Sequence, residues 1–232
     1  MTESRHPLPD LPGVALTLRR SARARRFSLR VSRVDGQVTL TLPLRAREAE
    51  ALAFAHSQTD WLRRALDRVP QVSRPVFGAT LPFEGRDLVL TPAAVRAPRV
   101  TGAQLLLPPE PERIGARLEA FLKHCARIRL QAATERHAGT LGRPFRKITL
   151  RDTRSRWGSC AQDGSLSYSW RLIMAPPSVL DYVAAHEVAH LAEMNHSPAF
   201  WTVVARLRPD YAPDRAWLKQ HGGALHALRF RD

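Results

Sequence analysis

Apolar and polar residues alternate in three short stretches near the start of the chain: Val14-Ala-Leu-Thr-Leu18, Phe27-Ser-Leu-Arg-Val31 and Val38-Thr-Leu-Thr-Leu42. A period of two predicts strands with one buried face. Asp35-Gly36 lies between the second and third stretches and predicts a hairpin. Over residues 45–68 the spacing becomes helical, with Ala49, Leu52, Ala53, Trp61, Leu62, Ala65 and Leu66 available for one buried face. From 69 to 111 prolines and glycines interrupt the chain, leaving short strand-like pieces at Leu88-Val-Leu90 and Leu105-Leu-Leu107. A long helix is predicted over 112–137. Ile148-Thr-Leu-Arg151 and Ser165-Leu-Ser-Tyr-Ser169 then read as strands, with a turn at Gln162-Asp163-Gly164.

This pattern predicts an α+β fold. Residues 1–13, with three prolines, read as a flexible tail, and 14–110 as a β-rich N-terminal region with one helix. Pro108-Pro109-Glu110-Pro111 blocks both helix and sheet ladder, so 111–232 reads as a separate domain. No apolar run reaches the ~18–20 residues that span a bilayer. The N-terminus lacks the basic start and apolar stretch of a signal peptide, so a cytoplasmic location is expected. The two cysteines, Cys125 and Cys160, read as reduced, and Cys160 as a small residue packed beside a sheet rather than a ligand or nucleophile.

Charge adds a second theme. The net charge is +15 and the pI about 11.4. Nearly all of the positive charge is arginine, most densely at Arg19, Arg20, Arg23, Arg25, Arg26, Arg30 and Arg33. Alternate members on a strand would form a basic stripe able to recruit DNA or another polyanion through counterion release. Charge alone reads no sequence, and a solvated arginine-rich surface has the same composition.

The chemistry concentrates in residues 177–198. Ser178 and Asp181 form a capping-box pattern at a helix start. His186 and His190, four residues apart, lie on one helical stripe, and Glu187 is rotated from them by about one hundred degrees. Two imidazoles so placed can bind one metal ion while the carboxylate acts on a water without being a ligand, the mechanics of HExxH. An open catalytic zinc site needs a third protein ligand. Glu193 lies roughly 10 Å along the helix from His186. His196 can reach the ion if the helix ends first, with Asn195 as a left-handed terminator and Pro198 blocking continuation. The site is therefore read as one Zn2+ held by His186, His190 and His196, with Glu187 catalytic. The spacing HExxHxxxxxH matches the metzincins, but their glycine position is Glu193 here.

Four segments together resemble the YgjP-like metallopeptidases, relatives of the SprT and Spartan proteases in the zincin superfamily. They are Arg156-Trp-Gly-Ser-Cys160, Ser169-Trp-Arg-Leu-Ile-Met-Ala-Pro176, Tyr182-Val-Ala-Ala-His-Glu-Val-Ala-His-Leu191 and Asn195-His-Ser-Pro-Ala-Phe-Trp201. The resemblance extends over nearly the whole chain. It implies a zincin-like catalytic domain with the HExxH helix, preceded by a small β-rich region, with zinc at the three histidines and Glu187 as general base. A peptidase also needs a group for the oxyanion, and Arg156, Tyr168 and Tyr182 are the candidates. A substrate chain would add as a strand beside the segment from Trp157 to Tyr168. Trp157, Trp170, Phe200 and Trp201 read as packing residues.

Two other readings compete. A metal-dependent nucleoside triphosphate phosphohydrolase could use the same water and clamp phosphates with arginine, but no GxxxxGK[ST] loop occurs. A non-catalytic nucleic-acid-binding module with structural zinc would leave Glu187 without a role, and such sites usually have four ligands rich in cysteine.

Overall fold

The computed structural model describes residues 3–32 and 35–231. They form two compact units, Met1–Gln71 and Val72–Asp232.

The first unit contains β1 (Glu3–Pro7), β2 (Ala15–Ser21), β3 (Ser28–Val31), β4 (Val38–Pro43), α1 (Glu48–Ser57) and α2 (Thr59–Leu66). Its sheet has the order β1-β2-β4-β3, with β2 and β4 parallel. Alternation puts Leu16, Leu18, Val38, Leu40 and Leu42 into a core with Ala51, Ala55 and Leu62. The expected tail is part of this sheet: β1 pairs antiparallel with β2, from Glu3↔Arg19 to Pro7↔Ala15. Its prolines lie at the strand end and beyond, where a missing N–H breaks little of the ladder. The hairpin signal holds, since β3 and β4 pair antiparallel and Gly36 takes a positive φ of 69°.

The single helix expected over 45–68 is two helices that break at Gln58. The break resets the helical phase, so Leu62 is fully buried while Trp61 is 42% exposed.

In the second unit, β5 (Thr80–Phe83), β6 (Arg86–Pro92), β7 (Arg99–Thr101) and β8 (Gln104–Leu107) form a sheet of order β5-β6-β8-β7. Then come α3 (Ile114–Leu141), β9 (Lys147–Arg151), β10 (Gly158–Cys160), β11 (Ser165–Ser169), α4 (Pro177–Ala189), α5 (Pro198–Leu207) and α6 (Tyr211–Ala227). The sheet β10-β11-β9 has β10 at its edge. The chain therefore divides at 71/72, not at the prolines of 108–111. Leu81, Leu88, Leu90, Leu105 and Leu107 share one apolar core with Ile114, Leu118 and Leu122 of α3, so those prolines mark a turn inside a unit.

α3 buries Leu118, Leu122, Ala126 and Leu130 at four-residue spacing and stops at left-handed Gly142. Asp181 of α4 accepts from His137 of α3 at 2.8 Å and also pairs with Arg136. It does not cap its helix. α4 starts with Pro177 at its first position, preceded by Pro176, and has no side-chain cap. Proline at that position removes an N–H that would need a cap and pre-sets the helical φ.

The chain end is fixed to the same core. The Arg171 guanidinium donates to the carbonyls of Leu225 and Leu228 at 2.7 and 2.9 Å, and a Cβ on Gly115 would sit 2.1 Å from the Phe230 carbonyl oxygen.

Candidate metal centre

α4 carries His186 and Glu187, and His190 is its C-cap. The helix ends earlier than the sequence signals suggest. Asn195 is not left-handed, because among the described non-glycine residues only Glu84 has positive φ. Instead the chain unwinds through short turns, with Leu191 N–H donating to the Val188 carbonyl and Ala192 N–H to that of Ala189. The Asn195 side chain then accepts from Ser197 N–H at 3.1 Å, and Ser197 caps α5 by accepting from Phe200 N–H. Pro198 is the first residue of that helix, the place where proline fits best. This reversal returns His196 to the helix it left.

The three imidazoles converge. One ligand atom from each of His186, His190 and His196 lies within 4.8 Å of the others, and the Nε2 atoms of His186 and His196 are 3.1 Å apart. A tetrahedral zinc ion with bonds near 2.0–2.1 Å has ligand atoms roughly 3.3 Å apart, so the group fits one ion. His190 Nδ1 donates to the Glu193 carbonyl at 2.9 Å, which leaves Nε2 as the free lone pair. Phe200, fully buried, lies against all three rings with centroids 4.4 to 4.9 Å away. Burial and the neighbouring histidines hold His186 down to about 3, and burial lowers His190. Both are neutral at physiological pH, as ligands must be. Glu193 and Cys160 are outside this three-histidine group.

Glu187 lines a cleft of about 420 Å³ with the three histidines, Arg156 and Gly158. Burial pushes its carboxyl up to about 8, opposed by the charge of Arg156. Gly158 of β10 touches it so closely that a Cβ there would meet Glu187 Oε1 at 2.5 Å. The sequence places Gly158 in a matching segment but assigns it no role; its signal is a glycine with no turn to make.

The other candidates separate. Arg156 is exposed at the cleft. Tyr182 is 5% exposed, lines the same cleft and stacks on Tyr211, and burial pushes its hydroxyl up to about 12. Tyr168 is in the core, 1% exposed, with its hydroxyl 3.1 Å from Thr134, an arrangement that suits packing. Cys160 also lines the cleft, and burial and the charge of Glu187 push its thiol up to about 11, which makes it a poor nucleophile.

In the first unit, Arg19 and Arg30 are on exposed positions of β2 and β3, whereas Arg23, Arg25 and Arg26 lie in the connection between them rather than along a strand. Arg20 has a structural task, donating to the carbonyls of Leu44 and Ala46 at 2.8 Å each. Arg33 lies outside the described residues.

Comparison with curated proteins returns no match. Among solved structures, the metallopeptidase zymogen of Pyrococcus abyssi abylysin is similar over 39% of this chain and 93% of its own, with 20% identity and a TM-score of 0.35. The family model described as "YgjP-like, metallopeptidase domain" matches residues 25–221. That span takes in most of the first unit and nearly all of the second, from just before β3 to within α6, and on it the chain belongs to the YgjP-like metallopeptidase family.

Proposed function

We propose that this metallopeptidase uses one zinc ion held by His186, His190 and His196, with Glu187 as the general base in peptide hydrolysis. The observation that carries the reading is the convergence of three imidazoles beside a buried carboxylate in one cleft. A bound zinc ion would supply a Lewis acid and acidify its water to about pKa 7. Glu187, whose carboxyl prefers to hold a proton, is suited to take one from the attacking water and return it to the leaving amine. A dication beside it would pull that preference down towards neutrality. Arg156 faces the cleft as a permanent cation for developing negative charge, and Tyr182 is a neutral hydroxyl at its wall. β10 offers a free sheet edge on the cleft, to which a substrate chain could add as a strand.

The test is metal analysis together with side-by-side hydrolysis of a casein-like polypeptide and nucleoside triphosphates. About one zinc per chain is expected, lost in His186→Ala and His190→Ala. Glu187→Ala should keep zinc and lose polypeptide cleavage. Triphosphate turnover without polypeptide cleavage would overturn the reading in favour of a phosphohydrolase.

The arginines of the first unit support recruitment to nucleic acid. Arg5 on β1, Arg19 on β2 and Arg30 on β3 all point to the sheet face opposite the buried leucines, with Thr17, Thr39 and Thr41 between them. DNA affinity should fall steeply as salt rises, and an affinity indifferent to salt would remove this part of the proposal.

A further inference from the structure

A second cavity, of about 330 Å³, adjoins the cleft across β10 and shares Arg156, Gly158 and Ser159 with it. Its remaining walls are Arg151, Thr153, Ser167 and Tyr168, the last with its hydroxyl turned to Thr134 in the core. No carboxylate lines it. The Arg151 side chain is exposed and has no ion-pair or hydrogen-bond partner among the described residues. Asp152, the adjacent acid, is turned away and held by Arg171 at 2.6 and 3.1 Å. The cavity is therefore a cationic recess with three hydroxyls, beside a cleft whose own walls include Val183, Met194 and Leu218.

Strand geometry says what can reach it. Gly158 faces Glu187 on the cleft side of β10. Ser159 is one residue on and pairs with Ser167, and both line the second cavity. Successive side chains on a strand point to opposite faces, so a peptide paired along β10 presents alternate side chains to the cleft and to the recess. From these placements we infer that the recess is a specificity subsite for a carboxylate of the substrate, supplied by an acidic side chain within three residues of the scissile bond. This rests on the peptidase reading above. A guanidinium takes a carboxylate in a two-bond fork, and the Ser159 and Ser167 hydroxyls can satisfy the remaining lone pairs, the Thr153 hydroxyl already donating to the Arg156 carbonyl at 2.9 Å.

The experiment uses the full chain, zinc-loaded, and one peptide made in versions with Glu, Gln or Lys at each position from three before to three after the bond cut. At one position the Glu peptide should be cut with kcat/KM about tenfold above the Gln peptide, with Lys below both. Arg151→Glu should invert that order at that position only. C-terminally amidated and free-acid forms separate an internal acidic side chain from a chain-terminal carboxylate. Binding of the same peptides to the Glu187→Gln variant gives an independent reading. Tighter binding of Glu peptides, lost in Arg151→Glu, supports the subsite even if no peptide is cut, in which case the peptidase reading alone fails. Equal binding and cleavage of Glu, Gln and Lys peptides, or a preference untouched by Arg151→Glu, overturns the subsite.

Discussion

Gly158 and Phe200 illustrate how single residues set this centre. A methyl group at 158 would occupy the space of the Glu187 carboxylate, 2.5 Å from Oε1. Gly158→Ala should therefore displace the carboxylate while the three histidines stay in place. The expected result is zinc content near wild type with polypeptide cleavage reduced by about 10²-fold, the size of effect that follows from misplacing a reacting group by about 1 Å. Phe200 acts on the three imidazoles instead. It is fully buried against all three imidazoles, so Phe200→Ala should cost about 3–5 kcal/mol in denaturant unfolding and weaken zinc binding in competition with a chelator. That the three histidines and Glu187 come together is legible in the sequence, because metal-binding chemistry would require these residue types at this spacing. The packing role of Phe200 is legible as well, since a large aromatic side chain gains most by burial. Gly158 is not: its requirement comes from the absence of an atom, and that becomes visible only when β10 and α4 are side by side.

Among the elements, α4 is tied to its neighbours by one carboxylate. Asp181 accepts from His137 and pairs with Arg136, and Arg208 lies 3.4 Å away. Burial raises the Asp181 pKa, but the hydrogen bond from His137 and the charges of His137, Arg136 and Arg208 outweigh it, so the net shift is downward. The folded form thus prefers the ionised carboxylate more than the unfolded chain does. Its contribution is fully present above the unfolded value near 4 and is lost as pH falls through the lower folded value. Thermal melts of Asp181→Asn and wild type should differ most at neutral pH and converge as pH falls through the lowered folded value. A difference that grows in acid would contradict the pairing.

The sequence pattern reads Ser178 as the cap and Asp181, three residues on, as its capping-box partner. The pattern fails because Pro176 and Pro177 already start the helix and leave the carboxylate free for α3. The end of α4 departs similarly. Asn195 and Pro198 correctly mark a reversal before His196, yet the helix unwinds six residues before Asn195, where the His190 side chain donates to the Glu193 carbonyl and the backbone tightens into short turns. Residue-level signals locate the reversal; the contact that begins it is between a side chain and a carbonyl made only after folding.

Across the whole molecule, two apolar cores divide the labour. One lies within residues 1–71 and the other within 72–232, and all three histidines belong to the second. Metal that binds only the folded form stabilises that unit by about 2.7 kcal/mol when free zinc is a hundred times its Kd. Calorimetry should show the transition of the second unit moving down on chelation while that of the first stays in place; equal shifts of both would contradict separate cores. The α+β class and most strands are legible from periodicity. The division between units is not, because prolines at 108–111 signal a break in regular structure and say nothing about which leucines meet across it. β1 escapes for a related reason: only five residues long and rich in polar side chains, it exists because β2 offers it an edge.

The grip of Arg171 on the last turn has a consequence for shortened chains. Arg171 is 6% exposed and takes two of its acceptors from Leu225 and Leu228, while Phe230 is seated on Gly115 and packed edge-on against Trp170. A stop codon placed after residue 227 removes the Leu228 acceptor and the aromatic cover together, opening the Trp170 and Gly115 faces to water and leaving the guanidinium with only Asp152 and the Leu225 carbonyl. Losing so short a tail would then do the damage of a core deletion, and the shortened protein should accumulate in inclusion bodies with its histidines, glutamate and cleft-lining residues all still encoded.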